Sequence, residues 1–171
     1  FLKVPINYSI VTNIDKEHLD FYKNFNNLLE AFKIFIEKTP PIGKSFLFLD
    51  DPNIRRIIKK LNTKNYFTFG FHKDSNYQVC NATYEINYTK FDLKIKNVSS
   101  KNIHIKNIIL NLIGKHNVVN ATAAISLCLN LGLKENIIKK ALKNFSGVQR
   151  RLTKVFKKNK IEFYDDYAHH P

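Results

Sequence analysis

The stretch SFLFLDDPNIRRIIKKLNTKNYFTFG, residues 45–70, decides the fold class of this chain. It opens with an apolar run, Ser45 to Leu49, which is typical of a strand buried on both faces. Asp50-Asp51-Pro52 then predicts the start of a helix, because an acidic cap is followed by an early proline. Apolar residues recur at helical spacing until a second strand-like run, Tyr66 to Phe69, which Gly70 closes. A strand, a helix and a strand in this order predict a parallel β-α-β unit.

The residues before this stretch continue the same alternation. Tyr8 to Ile14 is a β-branched run that predicts another buried strand, and a polar loop from Asp15 to Asn24 follows it. Between Asn27 and Lys38 the apolar residues recur at helical spacing, and Pro40-Pro41 ends that helix. The fold class predicted for this part is therefore α/β, with a mostly parallel, doubly wound sheet.

The pattern changes after Gly70. Alternating apolar and polar residues between Tyr77 and Leu112 predict a small antiparallel β-sheet that flanks the parallel one. Helical periodicity then returns in two segments, Asn117 to Leu131 and Glu135 to Phe145, each followed by glycine within two residues.

The last part of the chain predicts the start of a second domain. Two short strands are expected near Leu152 to Phe156 and Ile161 to Tyr164. We place the boundary at Gly147, so that residues 1–147 form one domain and residues 148–171 open a C-terminal α/β domain. A chain of 171 residues has room for this arrangement.

The composition leaves a second class of function open. The formal net charge is +14, which is compatible with a basic nucleic-acid-binding module. The lysines are scattered, however, and phosphate-backbone binding needs them on one face, so we expect no nucleic-acid partner. No apolar run approaches the roughly 18 residues that a membrane-spanning helix needs, so we expect a cytoplasmic protein with no membrane partner. The sequence contains no methionine, and we expect its natural N-terminus to lie upstream.

The first candidate site follows the first predicted strand, in VTNIDKEHLDFY, residues 11–22. Ligands of open parallel sheets bind beyond the carboxyl ends of the strands. His18, among carboxylates in such a loop, is a candidate ligand for a divalent cation that carries a nucleotide phosphate. The alternative is an ordinary solvated loop.

The second candidate site is GKHNVVNATAAI, residues 114–125. Asn117 and Asn120 are three residues apart, so both lie on one face of the predicted helix, and His116 precedes them. A carboxamide can donate to one nitrogen of adenine and accept from the other. The alternative for Asn117 is a helix cap.

Two further segments lie near the end of the chain. In SGVQRRL, residues 146–152, a glycine turn presents Arg150 and Arg151, and guanidinium groups bind phosphate oxygens; the alternative is a basic pair on the surface. In YDDYAHHP, residues 164–171, carboxylates follow a strand and could accept hydrogen bonds from ribose hydroxyls.

Taken together and in this order, TNIDKEHLDFY, GKHNVVNATAAI, GVQRRL and DDYAHHP resemble the Mur ligases, the ATP-dependent amide-forming enzymes of peptidoglycan synthesis. FLDDP, residues 48–52, adds to the resemblance. It spans essentially the whole chain and is strongest to the members that join L-alanine to UDP-N-acetylmuramate. It implies an incomplete central ATPase domain, the cofactors ATP and Mg²⁺, and those two substrates as partners.

The resemblance also implies a role for each matching residue. The implied metal ligand is His18, and the implied nucleotide-binding residues are His116, Asn117, Asn120, Arg151 and Asp166. Tyr167 and His169 are implied to contact the amino-acid substrate, and Arg151 and His169 to act in catalysis. Which of Arg150 and Arg151 faces the phosphate is chosen by motif position alone.

The implied reaction has two steps. The muramyl carboxylate attacks the γ-phosphate of ATP to form an acyl phosphate, and the amine of L-alanine then displaces phosphate. The chain has no glycine-rich phosphate loop of the GxxGKT type, which we expect upstream together with an acidic metal-binding segment. We therefore expect these 171 residues alone to be inactive. The nearest alternative is a recycling ligase that adds a murein peptide to UDP-N-acetylmuramate and favours phenylalanine at the position of Tyr167.

Overall fold

The computed structural model describes residues 1–98, 102–148 and 153–167. The strands in these ranges are β1 (Tyr8–Val11), β2 (Lys44–Phe48), β3 (Tyr66–Gly70), β4 (Tyr77–Tyr84), β5 (Thr89–Ile95), β6 (Ile103–Leu110), β7 (Thr153–Lys158) and β8 (Ile161–Asp165). The helices are α1 (Leu19–Tyr22), α2 (Phe25–Glu37), α3 (Pro52–Ile58), α4 (Lys115–Asn130) and α5 (Glu135–Asn144). None of these helices is long and apolar enough to cross a membrane.

Strands β1 to β6 form one sheet in sequence order. The first four run parallel to one another, and β4, β5 and β6 are antiparallel. The predicted α/β class with a mostly parallel sheet is thus confirmed. The antiparallel strands add to the edge of the main sheet, since β4 pairs with β3.

A side chain replaces much of the backbone pairing where β3 meets β4. The two strands pair only at Phe69–Tyr77 and Gly70–Gln78, so β4 starts beside the end of β3 and runs on past it. The Asn76 carboxamide oxygen accepts from the backbone nitrogen of Thr68 at 2.8 Å, and its Nδ2 donates to the carbonyl of Lys96 at 3.2 Å. Because β4 need not return along the length of β3, six residues replace the long crossover that parallel strands normally require.

The sheet has an apolar core on each face. Adjacent residues of β2 point to opposite sides, so Phe46 belongs to one core and Leu47 to the other. Leu47 packs with the buried faces of α2 and α3, while Phe46 packs with α4. Helix α5 lies on β6, in the same layer as α4. Helices on both faces confirm the doubly wound arrangement.

Three helical segments start where the sequence pattern does not place them, and the first is α2, which begins at Phe25 rather than at Asn27. Helix α4 begins at Lys115 and is preceded by Gly114, whose φ of 100° is unfavourable for other residues. The loop predicted from Asp15 to Asn24 contains the short helix α1. Helix α3 matches the prediction, because Oδ1 of Asp51 accepts from the backbone nitrogen of Ile54 at 2.8 Å and Pro52 is its first residue.

Strands β7 and β8 pair with each other in a separate antiparallel sheet. The rings of Phe156 on β7 and Phe163 on β8 stack with their centroids 4.1 Å apart. The predicted boundary at Gly147 lies between α5 and β7. The division into two domains there stays a prediction.

A buried hydroxyl cluster at the amino ends of β1 and β2 generates the first prediction. Oγ of Ser45 lies 2.8 Å from Oγ of Ser9 and 2.9 Å from Oγ1 of Thr39, and all three residues are buried. Replacing Ser45 by alanine (Ser45→Ala) should cost about 1 kcal/mol, because two buried hydroxyls each lose a partner. Thermal unfolding of the full-length protein measures this loss. The same change at the exposed Ser146 is the control, and equal melting temperatures for the two variants would contradict the prediction.

Tyr77 generates a prediction of opposite sign. Its side chain is 1% exposed, its hydroxyl has no hydrogen-bond partner among the described residues, and burial raises the pKa of Tyr77 to about 12. Replacing Tyr77 by phenylalanine (Tyr77→Phe) should therefore leave stability at neutral pH unchanged or raise it by up to about 1 kcal/mol.

The same substitution should change the response to alkali. The unfolded chain releases the Tyr77 proton near pH 10 and the folded chain near pH 12, so the stabilisation present below pH 10 is lost between these values. Urea unfolding across this range should show a shallower decline for Tyr77→Phe than for the wild-type protein. Tyr84→Phe, at an exposed tyrosine, is the control, and equal slopes for both variants would rule out this account.

Candidate functional site

Three loops and one helix end lie at the carboxyl edge of the parallel strands. The loops follow β1, β2 and β3, and parallel pairing in register puts them side by side. The amino end of α4 reaches the same edge, because Nζ of Lys115 lies 5.0 Å from the ring centroid of Phe71, the residue after β3. This edge is where open α/β sheets bind ligands.

The loop after β1 is anchored before it reaches His18. Ile14 is buried, its backbone nitrogen lies 3.5 Å from Oδ2 of Asp51, and its carbonyl accepts from Nδ2 of Asn53 at 2.9 Å. These contacts attach the loop to the start of α3. His18 therefore lies only four residues after Ile14, the residue at which the loop is anchored.

His18 has an unusual backbone conformation. Its φ of 55° and ψ of 31° lie in the left-handed region, which non-glycine residues adopt infrequently. Its carbonyl accepts from the backbone nitrogens of Phe21 and Tyr22, both at 3.0 Å, and its side chain is exposed. Such conformations cost free energy and are concentrated at functional sites.

The described side chains around His18 that could ligate a metal ion do not form a complete metal site. In the three described ranges, no three His, Cys, Asp or Glu side chains come close enough together to hold a metal ion. Mg²⁺ prefers oxygen ligands and commonly keeps several water molecules. The described residues therefore fit a magnesium ion only as a minor part of its ligand set, with His18 as one candidate ligand.

The two asparagines of α4 differ in what they can do. Nδ2 of Asn117 donates to the carbonyl of Ile113 at 2.8 Å, so Asn117 binds the preceding turn. The alternative that Asn117 caps the helix is wrong, because the cap position is Gly114. Asn120 lies one turn further on and is exposed, and its carboxamide has no hydrogen-bond partner among the residues that the structure describes. Its carboxamide is thus available to donate and accept at once.

Gly114 and His116 shape the amino end of α4. A Cβ atom at Gly114 would lie 2.9 Å from Cε1 of His116, so the imidazole folds back against the glycine. No side chain caps the helix, which leaves its amino end open. Free N–H groups and the helix dipole make such an end favourable for negatively charged groups.

The sequence pattern predicts for Asp50 a place at a helix start and in FLDDP, and the structure shows a further role. Oδ2 of Asp50 accepts hydrogen bonds from the backbone nitrogens of Phe71 and His72, at 2.9 and 3.3 Å. One signal was present in the sequence. A helix start needs one acidic cap, and the chain has two consecutive carboxylates.

The remaining predicted site residues lie in the last part of the chain. Asp166 and Tyr167 follow β8 and are exposed. Arg150, Arg151 and His169 lie outside the described residues. The structure thus brings His116, Asn117 and Asn120 together on α4, at the same sheet edge as the loop of His18. Convergence of Asp166 with these groups stays a prediction.

Besides Tyr77, two groups on the antiparallel strands have shifted pKa values, the carboxyl group of Asp92 and the thiol of Cys80. Burial raises the pKa of Asp92, but hydrogen bonds from Nδ2 of Asn81 and the backbone nitrogen of Asn107, with nearby His104, outweigh it and hold the pKa below its usual value. Burial raises the pKa of the Cys80 thiol, which makes it a poor nucleophile. Cys80 lies on β4 and Asp92 on β5, so neither belongs to the three loops and the helix end at the carboxyl edge.

Comparison with known proteins gives the same assignment as the motifs. The sequence pattern of the family described as the Mur ligase middle domain matches residues 2–128. The UDP-N-acetylmuramate–L-alanine ligase of Pelagibacter ubique is 49% identical over 171 residues, which is all of this chain and 37% of that protein. The ligase of the same name from Bartonella quintana is 39% identical, again over all of this chain and 36% of the relative.

Solved structures support the fold. The UDP-N-acetylmuramate–alanine ligase MurC from Thermotoga maritima superimposes with a TM-score of 0.75 at 27% identity, covering 99% of this chain and 36% of that one. A murein peptide ligase from Psychrobacter arcticus has a TM-score of 0.68 at 22% identity, covering 96% of this chain and 32% of the other. The latter similarity concerns the fold alone. The chain spans a little over a third of the curated relatives it matches, and it belongs to the Mur ligase family.

Proposed function

We propose that this chain is the ATP-binding central part of a cytoplasmic ligase that joins L-alanine to UDP-N-acetylmuramate. The observation that carries the proposal is 49% identity, over all 171 residues, to a relative with that name. The grouping of His116, Asn117 and Asn120 at the carboxyl edge supports it, because that edge is where a nucleotide would bind.

In this proposal Asn120 is the principal contact to adenine. Its exposed carboxamide can donate to one ring acceptor and accept from the exocyclic amine. Asn117 has one donor engaged with the carbonyl of Ile113, so it contributes an acceptor and holds the first turn of α4 in place. His116 lies beside them, against Gly114.

The phosphate groups of ATP require positive charge in the site. The muramyl carboxylate and the γ-phosphate are both anions, and a bound magnesium ion supplies positive charge that reduces their repulsion. His18 is the proposed imidazole ligand on this chain. Because the described residues offer no cluster of three ligands, its partners are proposed to be phosphate oxygens, water and residues outside the described ranges.

The other roles rest on motif position. Arg151 is proposed to neutralise phosphate oxygens and Asp166 to accept hydrogen bonds from the ribose hydroxyls. Tyr167 and His169 are proposed to contact L-alanine, with His169 and Arg151 acting in catalysis. These residues belong to the segment after α5, so a complete site requires that segment to close over the edge of the sheet.

The acceptor distinguishes this proposal from its alternatives. The full-length protein, given ATP, magnesium and UDP-N-acetylmuramate, should release phosphate when L-alanine is added, with the ligated product detected by mass spectrometry. Phosphate release with a murein tripeptide but not with L-alanine would instead identify a recycling ligase. No release with either acceptor, together with salt-sensitive binding to polynucleotides, would favour the nucleic-acid-binding alternative.

Replacing Asn120 by alanine (Asn120→Ala) tests the adenine contact. The change should raise the dissociation constant for ATP about tenfold or more, since a bidentate carboxamide contact is lost. The melting temperature should stay the same, because Asn120 is exposed and its carboxamide makes no hydrogen bond to the described residues. Fluorescence titration with a labelled ATP analogue measures the affinity.

The same helix provides a matched control. Asn130→Ala makes the identical change at the exposed last residue of α4, and it should leave ATP affinity unchanged. Equal affinities for ATP in the Asn120→Ala and Asn130→Ala proteins would remove Asn120 from the proposed site.

A further inference from the structure

The two carboxylates after β2 bind neighbouring elements on opposite sides. Asp51 caps α3 through Oδ1, and its Oδ2 faces Ile14 in the loop after β1. Asp50 accepts from the backbone nitrogens of Phe71 and His72 in the loop after β3. The second strand thus contacts both of its neighbours at the carboxyl edge through consecutive side chains.

The contact made by Asp50 depends on a glycine. A Cβ atom at Gly70 would lie 2.0 Å from Oδ2 of Asp50 and 3.0 Å from Cε2 of Phe48. Gly70 also has a φ of 138°, which side chains other than hydrogen rarely permit. The absence of a side chain at Gly70 therefore creates the space that the Asp50 carboxylate occupies.

The loop that Asp50 holds is in contact with the nucleotide helix. Nζ of Lys115, the first residue of α4, lies over the Phe71 ring at 5.0 Å from its centroid. Such cation–π contacts are attractive and directional. Since α4 is a continuous helix from Lys115 to Asn130, a displacement of its first turn moves Asn117 and Asn120 as well.

Asp50 is not needed to hold the far end of this loop. Asn76 already attaches that end to β3 through Thr68 and to the residue after β5 through Lys96. The cap of α3 is supplied by Asp51. The two hydrogen bonds of Asp50 instead act on Phe71 and His72, the part of the loop that contacts α4.

We propose that Asp50 is a positioning residue of the nucleotide site. Its carboxylate fixes the backbone of Phe71, the residue whose ring contacts the Lys115 ammonium at the amino end of α4, and so sets the position of Asn117 and Asn120. This inference rests on the proposed function, because it assigns the helix to ATP. Asp50 itself contacts neither the nucleotide nor the reacting atoms in this scheme.

The first test compares ATP affinity with stability in the full-length protein. Asp50→Ala should raise the dissociation constant for ATP about tenfold, since small misplacements of binding groups carry large costs. Asp50→Asn keeps one oxygen that can accept from Phe71 and should restore most of the affinity. Ser45→Ala, which weakens a buried cluster at the opposite end of the same strand, should lower the melting temperature and leave ATP affinity unchanged.

The second test reads the position of the helix without nucleotide. Amide hydrogen exchange in the peptide covering residues 113–121 should be faster in Asp50→Ala than in the wild-type protein, and unchanged in Ser45→Ala. Gly70→Ala, which removes the space for the same carboxylate, should reproduce the effect of Asp50→Ala on both exchange and affinity.

The outcomes separate the inference from the proposed function. If the wild-type protein binds ATP and Asp50→Ala lowers only the melting temperature, Asp50 is structural and the inference is overturned, while the proposed function stands. If the wild-type protein binds no ATP, the proposed function fails and the inference fails with it. Loss of affinity equal in Asp50→Ala and Asp50→Asn would also refute positioning through the accepted hydrogen bonds.

Discussion

Parallel pairing of β1, β2 and β3 is the constraint on which the rest of this structure depends. β1 pairs with β2 from Tyr8–Lys44 to Val11–Leu47, and β2 pairs with β3 from Ser45–Tyr66 to Phe48–Phe69. The three strands therefore end together. The loops that follow them therefore lie on one edge. Because β2 is the middle strand, its polar end can contact both neighbours, and the consecutive carboxylates Asp50 and Asp51 do so.

The antiparallel strands extend this arrangement without interrupting it. A residue outside regular pairing, Asn76, allows β4 to join the sheet after a connection of only six residues. Its carboxamide provides hydrogen bonds to Thr68 that a backbone ladder would otherwise supply. The apolar core on the α4 side consequently continues from Phe46 through Phe91 to Ile108, across parallel and antiparallel strands. Helices α4 and α5 cover that face, and α4 brings its open amino end to the carboxyl edge.

Family membership and function rest on different observations. The match to the Mur ligase middle domain and the shared fold establish the family. Structural neighbours near 22% identity include a murein peptide ligase, so the fold alone does not choose the acceptor. The proposal of L-alanine as acceptor rests on sequence identity to relatives of that name, of which this chain covers 37% or less in the cases above. The local geometry adds a distinction within the motif, because Asn117 binds its own helix whereas Asn120 is available to a ligand.

The sequence by itself determined the order of strands and helices, the parallel core and the family. The order of elements and the parallel core depend on short-range periodicity and on caps such as Asp51, which act within a few residues. The family rests instead on motifs such as GKHNVVNATAAI and DDYAHHP in their order along the chain. It also marked His18, Asn117 and Asn120 as candidates, but it could not tell a ligand-facing carboxamide from one engaged with the carbonyl of Ile113. Only the tertiary structure assigned that difference, joined β4 to the edge of β3, and revealed Asp50 bound to a loop 21 residues away. These are contacts between residues distant along the chain, and local pattern does not specify which distant backbone group a polar side chain will meet.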